Sequence, residues 1–173
     1  MVALPLPVST LQFTDTTLVI FRSATTDDKW TYEGLRERAE QFGSALQSSW
    51  RWTKADVLIV MSPNDIDTPP VIWGCHYAGG IVAPINPALS IQDLHQQIKR
   101  SEARGIVVHP GCLPVAVKAA RIANIPMDRV LALRFDRQVP TDDGISTVEQ
   151  FIANVKVAPD MMRYRPRINS QRD

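Results

Sequence analysis

The chain has 173 residues, 45% of them hydrophobic and 21% charged, which suits one packed domain and not a disordered polymer. Its 19 Lys+Arg against 18 Asp+Glu leave a net charge of +1, so no bulk field draws nucleic acid or an anionic membrane. Two cysteines, Cys75 and Cys112, do not make a disulfide framework.

Met1 to Val8 is apolar, but no basic residue precedes it and no small-residue cleavage site follows, so a secretory leader is not expected. The longest apolar runs, such as Val57 to Met61, are too short to cross a bilayer. The final Gln171-Arg172-Asp173 is not a peroxisomal address. These features lead to the expectation of a soluble, cytoplasmic protein without a transmembrane segment.

Residues 1–30 read as an irregular or β-rich lead-in, with Leu11–Thr14 and Thr17–Phe21 as short strands around Asp15, in the manner of a hairpin. Thr31 is placed as a helix N-cap ahead of Leu35, Ala39, Phe42 and Leu46, which recur on one helical face. That predicts a helix over about Tyr32–Ser48. Val57-Leu58-Ile59-Val60-Met61 is an unbroken apolar run of the kind buried on both faces of a parallel sheet. After Ser62-Pro63-Asn64-Asp65, a helix over Pro69–Ala78 is expected. Pro69 and Pro70 fit only its first turn, and Gly79-Gly80 offers a left-handed ending.

Ile81-Val82-Ala83 is the next strand, expected to end at Pro84. Ser90 with Asp93 makes a capping box for a helix bearing Ile91, Leu94 and Ile98. Gly105–Val108, a helix over Leu113–Ala123, and the strand Arg129–Leu133 continue the alternation. Asp136–Gly144 is a polar loop, Thr147–Asn154 a short helix, and Asp160 onward a basic tail. Strand and helix in alternation imply an α/β fold: a doubly wound, mainly parallel sheet with flanking helices.

Four groups of residues invite a chemical reading. Cys75, His76, His109 and Cys112 contain the atoms of a zinc set. On a helix, however, Cys75 and His76 would diverge by about 100°, and a small core hydrophobe is the better reading of Cys75. Cys112 with His109 could form a nucleophile and base near the carboxyl end of a strand, but no acidic orienter or oxyanion motif accompanies them. Asn64 sits at another such strand end, where it either faces a ligand crevice or, as we favour, caps the following helix. Arg163, Arg165, Arg167 and Arg172 could bind phosphate but are spaced like a solvated linker. Trp30, Trp50, Trp52 and Trp73 are scattered and read as core or rim packing. The eight glycines form neither a dinucleotide fingerprint nor a Gly-Lys-Ser/Thr loop.

The chain nevertheless resembles one family. Trp30-Thr31-Tyr32 is followed by a helix with Phe42, Gly43 and Leu46. Next comes Lys54-Ala55-Asp56-Val57, where the family usually has Gly in place of Ala55, and then Ser62-Pro63-Asn64, Trp73-Gly74 and Ala78-Gly79-Gly80-Ile81-Val82-Ala83-Pro84-Ile85-Asn86-Pro87. In this order the segments are similar to the adenylate-forming (AMP-binding) acyl-CoA synthetases, especially their 4-coumarate–CoA ligase-like branch, which suggests secondary metabolism. Arg163-Tyr164-Arg165 and Ile168-Asn169 look like the stretch just ahead of that family's ATP loop.

The resemblance implies a partial N-terminal subdomain over 31–157 and a basic tail over 158–173 leading toward the phosphate loop. In the intact family a carboxylate, ATP and CoA give acyl-CoA, AMP and pyrophosphate with the aid of Mg2+. The motifs that do this chemistry have no counterpart here, so no catalytic, cofactor-binding or metal residue is carried over. The expectation is a truncated ligase portion that binds no cofactor alone and is inactive. The alternative is a non-catalytic assembly module, with a protein partner covering an exposed sheet edge. A small enzyme using Cys112 and His109 is a third reading.

Overall fold

A computed structural model describes residues 18–133 and 144–155. The strand expected at Leu11–Thr14, most of the loop from Asp136, and the tail over 158–173 with its arginines lie outside the described residues.

A short antiparallel hairpin comes first, β1 (Val19–Arg22) with β2 (Lys29–Thr31). β2 runs directly into α1 (Tyr32–Trp50), whose N-cap is Thr31: its side-chain oxygen accepts the Gly34 N–H. Leu35, Ala39, Phe42 and Leu46 are buried along that helix, as their spacing requires.

The main sheet has five strands, β3 (Val57–Met61), β4 (Ile81–Ile85), β5 (Ala103–Val108), β6 (Val130–Ala132) and β7 (Ser146–Thr147), in the order β4-β3-β5-β6-β7. Every pairing in it is parallel. α2 (Thr68–Tyr77), α3 (Ile91–Arg100), α4 (Leu113–Ile122) and α5 (Val148–Asn154) complete the alternation. The α/β, doubly wound expectation therefore holds. β7 had no signal in the sequence, because two residues cannot display a period.

Strand residues divide between the two faces by the period of two. Leu58, Val60, Val107 and Leu131 join α1, α2 and α5 in one core layer with Phe42, Trp50, Trp52 and Phe151. Ile59, Met61, Ile106, Val108, Val130 and Ala132 meet α3 and α4 on the other. α1 and α2 cross closely at glycines: a Cβ on Gly43 would lie 2.6 Å from the Gly74 carbonyl oxygen. Trp50 packs on Phe151 with ring centroids 4.9 Å apart.

One boundary differs from expectation for a clear reason. β4 runs through Pro84 to Ile85, because β4 is outermost in the sheet and Pro84 need not donate a ladder bond there. No described helix is long and apolar enough to cross a membrane.

Candidate functional site

From β3 the chain steps outward to β4, then crosses back to β5 on the opposite side of β3. The winding reverses between β3 and β5, and in open α/β sheets a crevice forms outside the carboxyl ends of such a pair. The segment from Ser62 to Asp65 leaves β3 there. His109 and a 3-10 turn, Pro110–Cys112, leave β5.

His109 ties the two loops together. Its backbone N–H donates to the Met61 carbonyl oxygen at 2.9 Å. Its Nδ1 accepts the Gly111 N–H at 3.1 Å, so in the neutral ring the proton sits on Nε2, which faces Asp65 Oδ2 at 3.6 Å. Asp65 is spoken for on its other side, where Oδ1 accepts the Asp67 N–H at 2.9 Å and its carbonyl accepts the Thr68 N–H at 3.1 Å. The sequence reading did not pair His109 with Asp65. Only their positions after neighbouring strands, joined by the crossover, could have suggested it.

This arrangement removes the Cys112–His109 nucleophilic pair. The one lone pair of the neutral ring, on Nδ1, already accepts the Gly111 N–H and is not turned to the thiol proton. The Cys112 thiol instead lies against the Pro87 carbonyl oxygen at 3.9 Å, and burial raises its pKa above the ordinary value.

The zinc set is not assembled either. Cys75 is fully buried beneath Gly80 and Trp52, near the Asp56 carbonyl at the amino-terminal edge of the sheet, while His109 and Cys112 stand at the carboxyl edge. Burial, reinforced by the Asp56 charge, pushes the Cys75 thiol up to about 12, and it packs as a core side chain.

Asn64 does not cap α2. The N-cap is Asp67, which makes no side-chain cap bond, because the turn built on Asp65 delays the helix to Thr68. Asn64 instead lines a cleft of about 340 Å³ between the β3–α2 loop and the β1–β2 turn. The turn is held by its own side chains: Ser23 Oγ accepts the Thr26 N–H at 3.1 Å, and Thr26 Oγ1 donates to Asp28 at 2.6 Å. Trp30 Nε1 donates to the Ile66 carbonyl at 2.8 Å and docks the hairpin on the loop. Phe21, Ile66 and Pro69 form apolar parts of the wall, and Arg22, Asp28, Asp65 and Asp67 bring charge of both signs. Trp50 and Trp52 lie in the core, whereas Trp73 is exposed.

At the opposite edge, Asp56 accepts from Thr53 N–H at 2.7 Å, from Thr53 Oγ1 at 3.0 Å, and from Arg104 Nη1. Burial acts to raise its pKa, but these bonds outweigh burial and hold the carboxyl below its ordinary value. Arg129 extends the clamp by donating to the carbonyls of Trp50 and Arg104. This is the structural end of the sheet.

The model of the family "AMP-binding enzyme" matches residues 8–164. The chain belongs to the AMP-binding enzyme family.

Among curated proteins, the chain is similar to the long-chain-fatty-acid–CoA ligase of Salmonella typhimurium, 28% identical over 122 residues, covering 70% of this chain and 21% of that protein. An uncharacterized acyl–CoA ligase of Bacillus subtilis is 32% identical over 82 residues, covering 47% of this chain and 15% of that one. Among solved structures, the luciferase-like enzyme of the Zophobas morio mealworm superposes with a TM-score of 0.70 at 18% identity, over 87% of this chain and 33% of its own. A benzoate CoA ligase from Burkholderia xenovorans LB400 gives 0.61 at 22% identity, over 76% and 24%. These superpositions show that the chain shares its α/β sheet architecture with those enzymes. The chain thus spans about a fifth of the Salmonella ligase and a third of the luciferase-like enzyme.

Proposed function

We propose that this chain forms the first α/β unit of an acyl-CoA ligase and is catalytically silent without further polypeptide. The supporting observation is the family match over residues 8–164, set against coverage of only 21% of a full-length relative. Carboxylate activation passes through a phosphoryl centre that needs a phosphate cradle and charge stabilisation. The described carboxyl edge offers neither: His109 and Asp65 are each held by their own loops and face each other at 3.6 Å, and the cleft beside them carries three carboxylates, Asp28, Asp65 and Asp67, against the single Arg22.

The full reaction would join a carboxylate, ATP and CoA, assisted by Mg2+, in the cytoplasm. The names of several curated relatives favour a fatty acid over the aryl acid of the 4-coumarate–CoA ligase-like reading. ATP–pyrophosphate exchange on the purified chain, with fatty and aromatic acids supplied in parallel, is expected to give no signal. Acid-dependent exchange by this chain alone would overturn the proposal.

A second reading, a non-catalytic assembly module, is favoured by the exposed aromatic contact of Phe21 with Trp73. It predicts a partner that binds without turnover.

A further inference from the structure

The sheet ends on one side at β4, which among the described residues pairs with β3 alone. An outermost strand leaves a row of backbone groups open to pairing with another chain. Folds blunt such a row with a charge, a bulge, a proline or a very short strand. β4 reads Ile81-Val82-Ala83-Pro84-Ile85 and has no charged residue. Its five residues pair with β3 in unbroken register, so no bulge turns the strand away. Ile81 is 51% exposed, and Pro84 is exposed as well. Of these devices only the proline is present.

The backbone shows why it stands at position 84. The Ile81 N–H donates inward, to the Asp56 carbonyl at 2.8 Å. Successive residues of a strand turn their backbone groups to alternate sides, so Ala83 and Ile85 also face β3, while Val82 and Pro84 face outward. A proline at 83 or 85 would break the ladder with β3. At 84 it removes a donor only from the open side. Val82 then supplies the one outward N–H of β4. A strand laid alongside needs donors at alternate positions, and the pyrrolidine ring fills the place of the second.

The far edge is closed by different means. β7 consists of Ser146 and Thr147. Thr147 is already the N-cap of α5, and its backbone N–H donates to Gln150 Oε1 at 2.9 Å. The chain turns into helix before a third strand residue can be added. Helix capping therefore blunts one flank of the sheet, and a single residue blunts the other.

We propose that Pro84 is a gatekeeper: it keeps the uncharged edge of β4 from pairing with β4 of a second copy, and so keeps the sheet from growing by strand addition. A window of high β propensity and no charge, such as Gly80–Ile85 without its proline, is of the kind that self-associates. The inference goes beyond the ligase reading and does not depend on it, because it concerns the edge of the folded chain and not its chemistry. It also moves any protein partner off the β4 edge and onto side-chain surface.

The test is Pro84→Val in the whole chain, which restores the outward N–H with a residue of high β propensity. Sedimentation reads the mass over a roughly hundredfold range of concentration, and hydrogen exchange followed by NMR reads the Val82 and Ala83 amides. In the wild type we expect Val82 to exchange at least about tenfold faster than Ala83 at every concentration, because Ala83 donates into the ladder with β3 and Val82 does not. In Pro84→Val we expect the mass to rise toward that of a dimer with concentration, and Val82 exchange to slow at least about tenfold. Adding Ile81→Lys to Pro84→Val should reverse both changes by placing a charge on the edge.

Wild-type Val82 exchanging as slowly as Ala83 would mean an edge already covered and would overturn the proposal, whether or not the variant folds. So would a cooperatively melting Pro84→Val chain whose mass and Val82 exchange do not change with concentration. Association that leaves Val82 unprotected, or that persists with Ile81→Lys, runs through another surface and overturns it too.

Discussion

Ala55→Gly should stabilise the protein, against the usual expectation for adding a glycine. Ala55 is held at φ 68°, in the left-handed region, by a turn in which its N–H donates to the Gly79 carbonyl at 3.0 Å. A side chain there costs about 1–2 kcal/mol relative to glycine. Ala55 is exposed, so removing its methyl forfeits little burial. Against the gain stands the larger freedom of glycine in the unfolded chain, about 0.4–1 kcal/mol. Taking the middle of each range, the difference is a net stabilisation of about 0.8 kcal/mol, or roughly 2–3 °C in melting temperature for a chain of this size. Urea unfolding followed by tryptophan fluorescence measures it as a higher midpoint at unchanged slope. Arg51→Gly, at φ 50° in the C-cap of α1, is an independent control expected to move the same way. A lower midpoint in Ala55→Gly, with a raised one in Arg51→Gly, would refute the claim that the Ala55 turn stores strain.

Gly74→Ala should do the opposite. A Cβ there would lie 2.8 Å from both the Ala39 carbonyl oxygen and Phe42 Cδ1. Forcing α1 and α2 apart should cost about 1–3 kcal/mol, more than the roughly 1 kcal/mol that helix propensity returns, and the urea midpoint should fall. Asp56→Asn should destabilise by about 1 kcal/mol at neutral pH, a value discounted for the partial exposure of the Arg104 partner. Because the folded pKa of Asp56 lies below its ordinary 3.8, its stabilisation is fully present above that value and is lost as pH falls through the folded pKa. The gap between wild type and variant should therefore close in acid unfolding curves below about pH 4. Iodoacetamide followed by mass spectrometry should modify Cys112 in the native state and Cys75 only after unfolding, since burial pushes the Cys75 thiol up to about 12.

Local rules carried most of the fold. Thr31 and Ser90 each accept a backbone N–H at the start of the helix they were expected to cap, and Gly79 takes the left-handed ending at φ 84°. The capping interaction of Thr147 with Gln150 starts α5 one residue past its expected beginning. The family's glycine at the position of Ala55 also acquires a physical meaning, as the residue suited to that φ. The site was less legible. Asn64 looked like a cap because caps follow strands, but the Asp65 turn placed the N-cap three residues beyond it, at Asp67.

The alternation of strand and helix, the two buried faces of β3 and the family are all legible in the order of the residues. Each of these follows from periodicity, caps and segment order, which are local properties or ordered sums of them. The strand order β4-β3-β5-β6-β7, and with it the meeting of His109 and Asp65, is a product of long-range packing. Packing also decided the separation of Cys75 from Cys112 at opposite edges and the exposure of Trp73 beside Phe21. Such contacts join residues far apart in the chain, and no local propensity encodes which loops a crossover brings side by side.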